Sequence, residues 1–168
     1  MSIDATRNEY HRDTALHATG MLRDFNRAGL LTAADTHVAS RVGAAVGEND
    51  ESVLLAVAFA VRAARQGSVC VDLASLPAGD GLGWPAAAGW AEAVAGSRVA
   101  AYGVVHHDLG RLYLDRYWRE ERQVADDLAA RATLPVAVDP VALGAALDQA
   151  FPGPAYPLAM AAAKQAAG

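Results

Sequence analysis

With 168 residues, 53% hydrophobic and 20% charged, the chain has the composition of one globular domain, with or without a tail, and not of a disordered segment. A net charge of −5 argues against autonomous nucleic-acid binding, which rests on a cationic footprint that releases counterions from phosphates. The single cysteine, Cys70, excludes an internal disulfide and any CxxC motif, and between two valines it reads as a small buried hydrophobe.

Residues 1–13 are polar and mixed in charge, without the apolar stretch of a signal peptide, and are expected to form a flexible lead-in. A first helix is predicted over Ala15–Ala28, with Leu16, Met21, Leu22 and Phe25 as its apolar positions. Gly20 weakens it, and Gly29 fits the position after its end. Thr32 then reads as an N-cap, with Asp35 three residues on as a partial capping box, for a helix running to Val46 and stopping at Gly47. Asn49 or Asp50 caps the next helix. Its apolar run Val53–Val61 makes it the most buried helix expected, yet falls well short of the roughly 20 residues a membrane span needs. A soluble, cytoplasmic protein is the expectation.

After Gly67, "VCVDLASL" reads as a short extended segment, and "PAGDGLGW" as a loop from which Pro85 opens a helix to about Ala95. A hairpin is predicted near 99–115, turning at "HHDLG". From Tyr117 the period becomes helical. Tyr117, Val124 and Leu128 share one face, so Tyr117 is expected in the core. On the hairpin, Leu112 and Leu114 point one way and Tyr113 the other, while Trp118 lies about 100° round the helix from Tyr117. Glu121 interrupts the apolar stripe. It either snorkels at the stripe's edge or pairs with Arg62, Arg65 or an arginine of a partner. Asp139 and Pro140 start a further short helix, and "LAMAAAKQAA" reads as a last one. The fold class is mainly α with a small β-hairpin, a compact α+β domain over 14–135 followed by a helical linker over 136–168.

The chemistry sought is mostly missing. The chain holds no GxxxxGK phosphate loop, GxGxxG, GxSxG or HExxH, so no catalytic, cofactor-binding or metal-ligating residue is assigned. "HHD" at His106–Asp108 is the nearest approach to a site, but adjacent strand residues face opposite ways and a polar hairpin tip explains them. The alternatives to an interaction module are a small enzyme or metal-binding protein using His106, His107 or Cys70, and a generic adaptor.

"RLYLDRYWREERQVADDL" carries a more specific signal. Leu112, Tyr113, Leu114, Arg116, Tyr117, Trp118, Glu121, Val124 and Ala125 match a pattern of the N-terminal region of the bacterial exodeoxyribonuclease V alpha chain, the RecD family. "GSVCVDLA" fits that family's G-x-V-C-x-D-L-A, and the resemblance runs from about residue 20 to 165. It implies a domain that attaches the alpha chain to the gamma (RecC-like) chain of the helicase–nuclease that processes double-strand breaks. The family's full-length members are ATP-dependent DNA helicase subunits whose motor follows this region. The chain reaches Gly168 before any Walker loop, so the expectation is an excised domain, a truncated frame or a stand-alone relative. Tyr113, Trp118 and Glu121 are the candidate partner-facing residues, with weak or no DNA binding by this domain alone.

Overall fold

The computed structural model describes residues 13–76, 81–134 and 139–150. The lead-in up to residue 12 and the expected last helix lie outside them. The chain divides into two units, Met1–Ala125 and Asp126–Gly168.

The first unit opens with α1, Gly20–Arg27, which starts five residues later than predicted. Upstream the backbone turns instead of coiling, and buried Asn26 holds it there. Asn26 Oδ1 accepts from the Ala15 amide at 2.9 Å, and Nδ2 donates to the carbonyls of Asp13 and Leu31 at 2.8 Å. Ala15 is thereby buried and Leu16 left exposed. α2, Ala33–Val46, has the capping box complete, and Gly47 ends it in the left-handed conformation. α3, Glu51–Arg65, is capped by the Asp50 carboxylate, which accepts from the amides of Ser52 and Val53.

The core grows outward from α3. Val53 and every residue from Leu55 to Ala60 are buried. At roughly 1.5–3 kcal/mol for each large apolar side chain removed from water, this helix is the main source of the unit's stability. α2 lies so close to it that a Cβ on Gly43 would collide with the Leu54 side chain. Phe25 and Phe59 meet edge to face at 5.9 Å, and Trp84 stacks on Phe59 at 5.6 Å. Trp90 anchors its indole N–H on the Ser52 carbonyl at 2.9 Å. Asp35 is wholly buried and receives Nε and Nη2 of Arg65, both at 3.1 Å. Burial opposes ionisation of Asp35, but the hydrogen bonds from Arg65 and Thr32 outweigh it and hold the carboxyl below its ordinary range.

β1, Cys70–Val71, leads into a single 3₁₀ turn at Leu73–Ser75. α4, Ala87–Ala95, does not begin at Pro85 as predicted. Ala88 is extended and Gly89 has φ +98°, so regular helix starts only at Trp90. The first arm of the predicted hairpin is also different. Ser97 caps a short helix, α5, Arg98–Ala101, whose buried Val99 fills the core. The hairpin proper is β2, Val105–Asp108, and β3, Arg111–Leu114, joined by Leu109 and Gly110 at φ +48° and +78°. Positive φ at both turn residues is the type I′ geometry that suits the twist of paired strands. β1 adds to the other edge of β3, giving an antiparallel sheet in the order β1-β3-β2.

β3 runs directly into α6, Asp115–Ala132, which carries no buried residue. This overturns the expectation that Tyr117 is core: its ring is half-buried, and Val124 and Leu128 are 58% and 62% exposed. α3 and the Phe25, Phe59 and Trp90 rings already fill the core, and none of the α6 stripe enters it. In the second unit, α7, Pro140–Ala150, starts at Asp139 and Pro140 as predicted, and none of its residues is buried.

Candidate interaction site

The strand register sorts the sheet into two faces. Val71, Leu112, Val105 and Leu114 face the core, with His107 at the sheet's edge on the same face. Cys70, Tyr113 and His106 form a row across the opposite face, because Cys70 and His106 are both paired with Tyr113. The leucines and Tyr113 do point to opposite faces. Tyr113 is nonetheless only 8% exposed, and the first turns of α6 meet the same face of the sheet at His106.

Two contacts hold those turns. The His106 ring stacks on the Trp118 indole, centroids 4.2 Å apart and planes 13° from parallel. His106 Nε2 also lies 2.7 Å from Asp115 Oδ1, which accepts from Arg119 Nε at 3.0 Å. The hydrogen bond from His106 is the main cause that holds the Asp115 carboxyl below its ordinary range, with Arg119 adding to it. Arg122, one turn beyond Trp118, lies over the same indole with its Cζ 5.5 Å from the centroid.

Glu121 takes neither of the arginines considered for it. Arg65 is held by Asp35, and Arg62 lies over the Phe59 ring. Glu121 instead lies near the Tyr113 phenol and opposes its ionisation. Desolvation first, then Glu121 and the neighbouring Cys70, push the Tyr113 phenol up to about 12, so it stays a protonated donor. Cys70 is half-buried, not enclosed, and its Sγ accepts from Arg111 Nη1 at 3.8 Å.

The site brings Tyr113, Trp118 and Glu121 together on one side of the sheet. It adds His106, Asp115 and Arg119, which sequence reasoning missed. Counting back from the Leu109–Gly110 turn would have paired His106 with Tyr113; the i,i+4 pair Asp115–Arg119 was also readable. The arrangement does not favour nucleophilic catalysis. Cys70 and His106 sit on the two outer strands, with β3 between them. That puts them about 9–10 Å apart at ordinary strand spacing, beyond the reach a thiol–imidazole pair needs. His107 is on the other face.

Comparison with known proteins matches residues 27–150 to the family model described as "RecBCD enzyme subunit RecD, N-terminal domain". Two curated relatives, each named RecBCD enzyme subunit RecD, from Mycobacterium tuberculosis strains CDC 1551 / Oshkosh and ATCC 25618 / H37Rv, are 56% identical over 126 residues. Each alignment covers 72% of this chain and 22% of the relative. The protein of that name from Mycolicibacterium smegmatis is 50% identical over 108 residues, 61% of this chain and 19% of its own. The chain thus spans about a fifth of the length of the curated relatives it matches. No solved structure matches. With three quarters of its length inside the family model and half or more of the aligned residues identical, the chain belongs to the RecD N-terminal domain family.

Proposed function

We propose that this chain is a non-catalytic docking domain that attaches a RecD-type alpha chain to the gamma (RecC-like) chain of a helicase–nuclease that repairs DNA double-strand breaks. The relatives' name, a subunit of the RecBCD enzyme, supports a role inside an assembly. The observation that carries the reading is α6. It is eighteen residues long with no buried residue, and exposes Val124 beside half-buried Tyr117 and Trp118. A helix whose apolar stripe stays uncovered in its own domain is suited to covering by a partner. In this reading Trp118 and Glu121 face the gamma chain, with Tyr113 near Glu121. Residues 136–168 serve as a linker toward the motor, in the cytoplasm.

Co-expression of the chain with a RecC-like gamma chain, followed by hydrogen exchange, tests this. Slower exchange around Tyr117–Ala125 in the complex is expected. Protection confined to the α1–α2 side of the domain overturns the assignment of the face.

A further inference from the structure

Building on the docking role proposed for α6, we infer that Leu109, at the tip of the β2–β3 hairpin, is an apolar wedge that enters a socket on the same gamma chain.

Two independent observations single out this residue. The first is its backbone. Among the described residues Leu109 is the only non-glycine with positive φ, at +48°, and the other eight such positions are all glycine. In that conformation a side chain's Cβ crowds the following carbonyl oxygen, and the first position of a type I′ turn is one that Asn, Asp or Gly fills more readily. The second is exposure. Leu109 is 92% exposed, more than any other large hydrophobic among the described residues, so no packing inside the domain offsets the strain. A leucine exposed alone on a surface needs no explanation. One that is also held in an unfavourable conformation does, and strain of this kind concentrates at binding sites.

The hairpin holds the wedge ready. Val105 on one strand and Leu112 on the other are buried in the core. His106 is fixed by the Trp118 indole and the Asp115 carboxylate. A turn of two residues on so anchored a ribbon has little freedom left to lose on binding. Around the apolar point stand half-buried Asp108 and exposed His107 and Arg111, a polar rim of the kind that surrounds an interface anchor. The complement is an apolar socket edged by groups that can meet a carboxylate and a guanidinium. Position assigns that socket to the gamma chain. Leu109 lies three residues beyond His106, on which Trp118 stacks, or roughly 10 Å along a strand. Tip and indole therefore fit inside one interface of ordinary size, about 800 Å² on each partner.

Titration calorimetry of the whole chain into a purified RecC-like gamma chain, with Leu109→Asn and Leu109→Met, tests the wedge. Leu109→Asn relieves the turn, so the variant should unfold in urea no earlier than wild type, and weaker binding then reports the lost side chain. Its affinity should fall about 10-fold or more, while Leu109→Met, apolar and of similar volume, should stay within about 3-fold of wild type. Wild-type affinity in Leu109→Asn overturns the wedge, and a weakened Trp118→Ala in the same series leaves the docking reading standing. No binding by wild type overturns both. An equal loss in Leu109→Met overturns the wedge as well, because the apolar side chain is then not what the partner meets. Sedimentation of the chain alone checks the other occupant: a wild-type dimer that Leu109→Asn dissociates overturns the assignment to the gamma chain.

Discussion

Asp35→Ala is the substitution whose consequence the structure specifies most fully. The carboxylate has no exposed surface, completes the Thr32 capping box and takes two donors from Arg65. Its removal leaves the Thr32 amide and hydroxyl without the oxygen they meet at 2.8 Å. Loss of the cap is worth about 1 kcal/mol. Loss of the charged pair adds about 1.5–3 kcal/mol, taken at the low end because Arg65 is half-exposed and regains water. The sum is about 2.5 kcal/mol, or a fall in Tm of about 5–10 °C for a chain of this size. The pH dependence provides a second check. The carboxyl's folded value is depressed, so its contribution is present above the unfolded value near 3.9 and disappears as pH falls through the folded one. Thermal melts of wild type and variant should therefore differ by a constant amount from about pH 5 to 7 and converge at lower pH. A variant that melts with wild type at neutral pH, or a gap that persists undiminished into acid, refutes this account of the pair.

Leu109, 92% exposed at φ +48°, should be replaceable by Asn with a gain of about 0.5–1 kcal/mol in urea unfolding, since Asn-Gly is the favoured type I′ pair. Tyr113→Ala should cost about 3 kcal/mol and Tyr117→Ala about 1, because only the first ring is buried. Equal melting temperatures for the two variants would contradict the packing. The raised phenol contributes stability that is complete below about pH 10 and is lost as pH rises through about 12, which an absorbance titration of tyrosinate in wild type and Tyr113→Phe would show. The 168-residue chain should show no saturable ATP binding by calorimetry and only weak DNA binding in anisotropy at physiological salt. It has no phosphate loop, and two of the four arginines of α6 are paired singly with acids, Arg116 with Glu120 and Arg119 with Asp115.

Helix boundaries were legible wherever a side chain or a glycine marks them chemically. Thr32 with Asp35 and Gly47 mark α2 to the residue, Asp50, one of the two caps considered, starts α3, and the continuous apolar run identified the central helix. Boundaries failed where the deciding interaction is long-range. Nothing local shows that Asn26 will hold the backbone of Asp13 and Ala15 out of a helix, or that Gly89 will delay α4 beyond Pro85. The β-prone letters of "RVAAYGVV" outweighed a Ser97 cap that needed only one turn of helix to follow it. The site divided in the same way. Spacing placed Tyr117 and Val124 on one face of a helix, but it carries no information on whether anything covers that face. Tyr113 was assigned to the correct face and the wrong environment, because strand alternation gives the face and carries no information on whether anything covers it.

The central claim is that the α6 face beside the sheet binds a partner chain. Titration calorimetry of the folded chain into a purified RecC-like gamma chain, repeated with Trp118→Ala and Glu121→Gln, tests it most directly. The account predicts saturable binding by wild type and a loss of roughly 30-fold or more in Kd for Trp118→Ala, the scale of an interface hot spot, with the variant still cooperatively folded at the assay temperature. Undiminished affinity in a folded Trp118→Ala, or no binding by wild type, would contradict it.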